Sequence, residues 1–453
     1  MFVAALMGIL LDLSLLTDIL GQNLRRSPDS FPQGIVGKIS TDTRSIGVGD
    51  LFVALVGERF DGHDYITQAL DAGAIAAITS REVDVNLPQW VVGDTLLAYQ
   101  DLAYWWRRQV DIPIIGITGS VGKTSTKELI AGVLGTRGNV LKTEANFNNE
   151  IGVPKTLLNL TSDHDFAVIE MAMRGRGEIA RLAEIAVPTI GIITNVGTAH
   201  IGRLGSREAI AEAKCELLEF MPDTSVAILN GDNDLLMSTA AKVWSGQTLS
   251  YGFEQGELRG QYIEHDRLRV GHSEFPVPLS GKHNALNYLA ALGVMQVLNL
   301  GWGHLEQGIT LAMPKGRSQK IQLPNDILLL DETYNAGLES MLAALELLKS
   351  TKGDRHIAVL GTMKELGEFS AEIHGKVGEK AQELGIDQLL VLVDDEETKA
   401  IATAAPNIPS LCFADHDNLI THLRENMQPG DRILFKASNS VGLSRVVQAL
   451  QLG

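Results

Sequence analysis

A chain of 453 residues is too long for one hydrophobic core, and its length points to about three domains. With 45% apolar and 21% charged residues it has the make-up of an ordinary globular protein. A formal charge of −17 excludes nucleic acid and anionic lipid as general partners, and Cys215 and Cys412 alone cannot form a disulfide framework, which fits a reducing cytoplasm.

The first segment, MFVAALMGILLDLSLL, is apolar but has no basic start, is interrupted by Asp12 and lacks a small-residue cleavage site. It is too short to span a bilayer and reads as an amphipathic first helix. Between residues 35 and 95 the runs GKIST, LFVALVG and AIAAITS read as short strands, with a helix around YITQALDAG. Arg44, in STDTRSIGVGD, sits in a loop after the first of these, where an arginine suits a diphosphate or carboxylate. LAYWWRRQV then reads as a helix leading into the next region.

From Ile112 apolar strands alternate with amphipathic helices, the sign of a parallel sheet. IPIIGIT is a buried strand and KTSTKELIAGVLGTRG a helix closed by glycine. Between them, Thr118, Gly119, Ser120, Val121 and Gly122 form a turn that puts free N–H groups and a positive helix end at one point. The usual phosphate loop has a glycine five residues before its Gly-Lys-Thr; here that position is Ile117. The segment is therefore an anion site, or a tight turn carrying a surface lysine. On the first reading Lys123 reaches phosphate oxygens and the Thr124 hydroxyl meets Mg²⁺.

FAVIEMA and PTIGIITNV are two further strands, and their carboxyl ends bring Glu170 and His200 to the same crevice as the loop. Glu170 suits Mg²⁺, and His200 is a less usual ligand for it. SREAIAEAKCELLEF is a helix opened by a capping serine. On it Lys214 aligns with Ile210, Leu217 and Leu218 on the apolar face. Spacing alone favours a lysine that snorkels to solvent; a buried, neutral amine would be able to react with CO₂ to give an anionic carbamate. Asn146, Asn148 and Asn149 are polar-contact candidates or ordinary turn residues. His283 and Asn284 open a helix, where they meet an adenine or serve as a cap.

LAMPKGRSQKIQL reads as a hinge. A third alternating series follows in ILLLDE, HIAVLGTM, QLLVLV and RILFKAS. Asp331 ends the first of these strands, with Tyr334 and Asn335 in the next turn and no Gly-x-Gly-x-x-Gly nearby to support a dinucleotide site. Arg317 and Lys436 are candidate phosphate or carboxylate contacts. The divisions expected are residues 1–109, 110–313 and 314–453.

Taken in order, DTRSIGVGDLFVALVGERFDGHDY, GITGSVGKTSTKE, NFNNEIGVPKTLL, VIEMAMRGRGEI, NVGTAHIGRLGSREAIAEAKCELL, GKHNALNYLAA, LLLDETYNAGLESMLAAL and VLGTMKELGEFSAEIHG resemble the Mur ligases of bacterial peptidoglycan synthesis over nearly the whole chain. The resemblance implies an α/β protein of three domains: a small UDP-sugar-peptide domain, a central P-loop ATPase with a mostly parallel sheet, and a C-terminal Rossmann-like domain. It implies the short loop Thr-Gly-x-x-Gly-Lys-Thr at Thr118 to Thr124, with Ser125 beside it. ATP would be held there and by Asn284, Arg317 and Asp331. Mg²⁺, two ions, would be bound through Thr124, Glu170 and His200, and Lys214 would carry the carbamate. Lys123, His200 and Lys214 would be catalytic. Thr43, Arg44, Asn148, Asn149, Tyr334 and Asn335 would contact the other substrates.

TGSVGK, NFNNEIGVP and DETYNAGLESM resemble the dipeptide-adding branch. That branch implies a cytoplasmic bacterial monomer adding D-Ala-D-Ala to UDP-N-acetylmuramoyl-tripeptide through an acyl phosphate, without membrane insertion. The competing readings are the third-residue-adding branch, a folylpolyglutamate synthase, which would lack the first-domain motif, and an ATP-binding regulatory protein without ligase chemistry. Two positions depart from the family pattern: Ala172 replaces a usual glycine, and KASNSVGLS lacks the Gly-Ser-Arg that follows the lysine.

Overall fold

The computed structural model describes residues 10–28, 34–311 and 313–452. Three α/β bodies follow one another along the chain, each built on its own sheet.

The first sheet has the order Leu24–Arg26, Gln89–Val92, Ala76–Thr79, Leu51–Val53, Ile39–Ser40, and only its first pair is antiparallel. The N-terminal segment differs from the amphipathic helix expected of it, within the part described. Leu11–Asp12 pairs antiparallel with Ile35–Val36, Leu13–Leu15 is a 3-10 turn, and helix is confined to Leu16–Leu20. Leu11, Leu13, Leu16 and Leu20 are all buried, which mixes the alternation of a strand with the spacing of a helix. Asp12 accepts from Ser14 N at 2.8 Å and starts the turn, and Gly21 follows the helix in a conformation that ends it. Residues 1–9 lie outside the described residues.

The helix Thr95–Arg107 joins this body to the next. Asp94 caps it by accepting from Leu96 N and Leu97 N, a cap that contributes about 1 kcal/mol. Its far end is fixed to the central body: Trp106 Nε1 donates to Leu160 O at 3.0 Å and Arg107 Nε to Ala186 O at 2.9 Å.

The central sheet is parallel throughout, in the order Leu258–Arg259, Gln247–Gly252, Val226–Asn230, Ile190–Ile193, Ile114–Thr118, Phe166–Glu170, Val140–Lys142. The chain lays strands on one side of Ile114–Thr118 and then crosses to its other side at Ile190–Ile193. This reversal opens a crevice at the carboxyl ends of three neighbouring strands, which is where open α/β sheets take ligands. The helices Lys123–Leu134 and Lys282–Val297 pack together on one face. A small antiparallel sheet, Gln261–Ile263, Arg267–Val270 and Ser273–Pro276, was not foreseen and covers one end of that core through Leu268 and Phe275.

The third sheet runs Gln319–Leu323, Ile327–Asp331, Asp431–Lys436, Arg355–Gly361, Gln388–Leu392, Ser410–Phe413. Its first strand is antiparallel and the rest are parallel. Gln319–Leu323 is the second half of the segment read as a hinge; its side chains are only partly buried, so periodicity carried little signal there.

Candidate functional site

One cleft of about 1340 Å³ lies where the carboxyl ends of the central sheet face the third body. The central body lines it with Ser120 to Ser125, Asn148, Asn149, Glu170 and His200, and the third body with Arg317, Tyr334, Asn335, Lys364, Glu365 and Lys436.

The phosphate-type loop is tightly determined. Gly119 and Gly122 have φ of +152° and +82°, and Gly122 is the left-handed residue that starts the helix Lys123–Leu134. A Cβ on Gly119 would overlap the Thr194 hydroxyl, and one on Gly122 would lie 2.9 Å from Asn287 Oδ1. The turn after Ile190–Ile193 braces the loop from behind. Ser120 N donates to Asn195 O at 3.1 Å, Val121 N to Asn195 Oδ1 at 3.0 Å, and Gly197 N to Ser120 Oγ at 2.9 Å. Thr118 and Gly119 form this buttressed floor rather than the cleft wall. Lys123 is half-buried and its Nζ donates to Gly119 O at 2.7 Å. Burial pulls its pKa down, against the attraction of Glu170, with Arg317 adding repulsion from the third body.

Glu170 ends its strand beside the helix start. Its two oxygens accept from Thr124 Oγ1 at 2.9 Å and Asn148 Nδ2 at 2.8 Å. Lys127, which sequence reading passed over, is fully buried one turn beyond Lys123. Its Nζ lies 3.9 Å from Glu170, 3.0 Å from Glu128 and 2.8 Å from Thr143 O. A hydroxyl and a carboxylate are hard oxygen donors, and Mg²⁺ is held by one or two such groups together with waters and substrate phosphates. Among the described residues no cluster of three or more His, Cys, Asp or Glu would hold a metal alone. The donor set therefore fits a Mg²⁺ that arrives with a polyphosphate.

His200 has a left-handed backbone, with φ of +67°, and its Nδ1 lies 2.6 Å from Glu365 Oε2 of the third body. Burial and then Lys123 pull its pKa to about 4, against the opposing pull of Glu365. The ring is neutral at pH 7, and a neutral imidazole that donates from Nδ1 leaves Nε2 as an acceptor.

Lys214 does not snorkel. It is 1% exposed on the helix Arg207–Glu219, between Ile210 and Leu218, and is enclosed by a core that spacing alone did not reveal. Burial, with Lys123 adding repulsion, holds its pKa well below the usual lysine value.

On the facing body the Arg317 guanidinium stacks 3.8 Å over the Tyr334 ring, and its buried Nε has no hydrogen-bond partner. An unpaired guanidinium N–H in a cleft is an open position for an anion. Lys436 is 4% exposed and donates only to carbonyls, Asn335 O at 2.9 Å and Glu332 O at 3.5 Å. Burial lowers its pKa, with Glu332 opposing and Arg317 reinforcing.

The remaining candidates lie apart from the cleft or are held by local bonds. Asn149 lines the cleft but accepts from Gly152 N at 2.9 Å. Asn284 is buried, donating to Ser280 O. Asp331 accepts from the Thr333 amide and hydroxyl. Thr43 donates to Gln68, and Arg44 projects into solvent, paired with Asp42 at 2.7 Å. That pairing holds Asp42 near pKa 2. Sequence reading also missed Asn195, Asn287, Glu339 and Glu365. Glu365 stands within VLGTMKELGEF but follows its strand by a turn whose direction no local spacing gives.

Comparison with known proteins agrees over nearly the whole chain. Residues 36–103 match the model of the Mur ligase family catalytic domain, residues 117–295 that of the Mur ligase middle domain, and residues 316–439 that of the Mur ligase glutamate ligase domain. A UDP-N-acetylmuramoyl-tripeptide–D-alanyl-D-alanine ligase of Synechocystis is 57% identical over 92% of each chain. The Escherichia coli enzyme of that name is 38% identical over 97% of this chain and 98% of its own. The crystal structure of MurF from Acinetobacter baumannii superposes with a TM-score of 0.89 at 30% identity, covering 98% of this chain and 100% of the other. That of MurF from Thermotoga maritima, in complex with ADP, gives 0.83 at 30% identity over 92% and 97%. With a braced glycine loop facing Arg317 and Lys436 of a second body, and with relatives matched over more than nine-tenths of its length, the chain belongs to the Mur ligase family.

Proposed function

We propose that this chain is an ATP-dependent amide ligase that joins D-Ala-D-Ala to UDP-N-acetylmuramoyl-tripeptide in peptidoglycan precursor synthesis. The observation that carries the reading is the cleft itself. An anion loop on one body faces Arg317, Tyr334 and Lys436 on another, so a phosphoryl group and an amine acceptor can be brought together from two sides.

In this reading the phosphates of ATP lie on the amides of Ser120 to Thr124, at the positive end of the helix Lys123–Leu134. Lys123 turns from Gly119 O to the β/γ-phosphates. Thr124, Glu170 and His200 would hold Mg²⁺, which when bound would neutralise charge on the transferring phosphoryl group. Arg317 uses its open Nε for the nucleotide side, to which the reading also assigns Asn284 and Asp331. Lys214, its pKa held low by burial, would add its amine to CO₂ and release a proton, giving an anionic carbamate that would serve a second Mg²⁺. Thr43 and Arg44 hold the UDP end of the substrate, and Asn148, Asn149, Tyr334 and Asn335 line the path of its peptide.

The peptide carboxylate attacks the γ-phosphorus, and the bond to the β-phosphate oxygen breaks to release ADP. The amine of the dipeptide then attacks the acyl carbon, loses a proton, and expels inorganic phosphate. Among the described residues no helix is long and apolar enough to cross a membrane. The reading places the enzyme in the bacterial cytoplasm as a monomer. The mechanism is tested with substrate labelled with ¹⁸O in its terminal carboxylate. One label must appear in the released phosphate; unlabelled phosphate with normal product would rule out the acyl phosphate.

A further inference from the structure

The turn from Gly197 to Gly202 touches both the anion loop and the third body. Gly197 N donates to Ser120 Oγ at 2.9 Å, and the next residue, Thr198, donates its amide to Glu339 Oε1 at 2.8 Å. Glu339 lies in the first turn of the helix Leu338–Ser350, in the third body. A Cβ on Gly197 would overlap that carboxylate.

Three residues on, the contact repeats. His200 Nδ1 meets Glu365 Oε2 at 2.6 Å, Arg203 meets Glu365 Oε1 at 3.3 Å, and Gly202 N donates to Glu365 O at 3.2 Å. A Cβ on Gly202 would stand 2.6 Å from Gly367 N and 2.7 Å from Leu366 C, so the two backbones can touch only while residue 202 is glycine. Glu365 itself has φ of +66°, an uncommon conformation for a glutamate that presents its side chain at this junction.

Two carboxylates of one body thus grip a single turn of another, and that turn also supports the phosphate-type loop. We infer that Glu365 is a positioning residue for His200, supplied by the third body where the two bodies meet at Gly197–Gly202. Glu365 fixes the His200 ring by accepting from Nδ1, which aims Nε2 back at the cleft; Glu339 anchors the same turn behind Ser120. The inference rests on the ATP-dependent reading above. Because docking and nucleotide binding share this turn, each strengthens the other by the same factor.

The test measures affinity for a non-hydrolysable ATP analogue with Mg²⁺ by calorimetry, and compaction on binding by small-angle X-ray scattering. Circular dichroism and thermal midpoint confirm that each variant is folded. Three variants separate the effects. Gly202→Val blocks docking while leaving every polar group in place. Glu365→Leu removes the acceptor, and Glu365→Gln keeps an acceptor oxygen for Nδ1 while removing the charge. The expected result is a loss of about 10-fold or more in nucleotide affinity for Gly202→Val and Glu365→Leu, with no compaction. Glu365→Gln should stay close to the unaltered protein in both readouts, and in turnover its kcat should fall less than that of Glu365→Leu. Unaltered affinity and compaction in folded Glu365→Leu would overturn the inference even if Gly202→Val fails to fold. If the unaltered protein does not bind the analogue, the ATP-dependent reading itself fails.

Discussion

The Thr124 hydroxyl donates to Glu170 at 2.9 Å although the two residues stand 46 positions apart, one at a helix start and one at a strand end. Parallel pairing of Ile114–Thr118 with Phe166–Glu170 sets that distance, since Ile117 and Glu170 are register partners. Asn148 holds the other carboxylate oxygen and Lys127 stands behind it, so Glu170 is oriented before any cation arrives. Glu170→Gln removes the charge and keeps the shape. It is expected to raise the Mg²⁺ concentration for half-maximal ATP turnover by about 10-fold or more. Steady-state rates across a Mg²⁺ titration check this, and an unchanged titration would contradict it.

Lys123 is the lysine of the loop, and its Nζ donates only to the carbonyls of Gly119 and Ser120. Lys123→Ala should lower ATP turnover by on the order of 10²–10³-fold or more, because it removes a preorganised charge from the phosphoryl group. Binding of the UDP-substrate, measured by calorimetry, should stay nearly intact, since its UDP end is assigned to another body and Lys123 is given no contact with its peptide. Normal turnover would overturn the assignment of the loop.

Gly119 tests the loop by volume rather than charge. Its φ of +152° and the Thr194 hydroxyl behind it leave no room for a side chain. Gly119→Ala is expected to abolish nucleotide binding and to destabilise the fold by about 1–3 kcal/mol. Calorimetry with ADP and urea denaturation read the two effects. A variant that binds ADP normally would show that the buttress is irrelevant.

Lys214 gives a pH signature. Its folded pKa is depressed by burial, so between that value and the unfolded pKa of about 10.4 the unfolded chain binds more protons. Stability therefore rises with pH across this window in CO₂-free buffer. Lys214→Met should flatten the rise, measured as urea midpoints at pH 7 and pH 9; parallel curves would count against it. In ¹³C-bicarbonate the unaltered protein should show a carbamate resonance by NMR that the variant lacks.

Much of this arrangement is legible in the sequence. The strands Ile114–Thr118, Phe166–Glu170 and Ile190–Ile193 are continuous apolar runs, and the parallel-sheet rule then brings Lys123, Glu170 and His200 to one crevice. What local pattern cannot carry is contact between bodies. Glu365 and Glu339 meet the Gly197–Gly202 turn from another domain, and nothing in their neighbours' spacing points there. Lys214 marks a related limit: helical periodicity shows its face but not that a second layer closes over it. The N-terminal leucines fail for the opposite reason, because their spacing satisfies both periods and the partner strand Ile35–Val36 decides for extended backbone at Leu11–Asp12.

Phosphate release from ATP with UDP-N-acetylmuramoyl-tripeptide, measured with and without D-Ala-D-Ala, tests the central claim most directly. The account predicts release that depends strictly on the dipeptide, one phosphate for each pentapeptide formed. Full activity with a single amino acid in place of the dipeptide, or release that needs no amine at all, would contradict it.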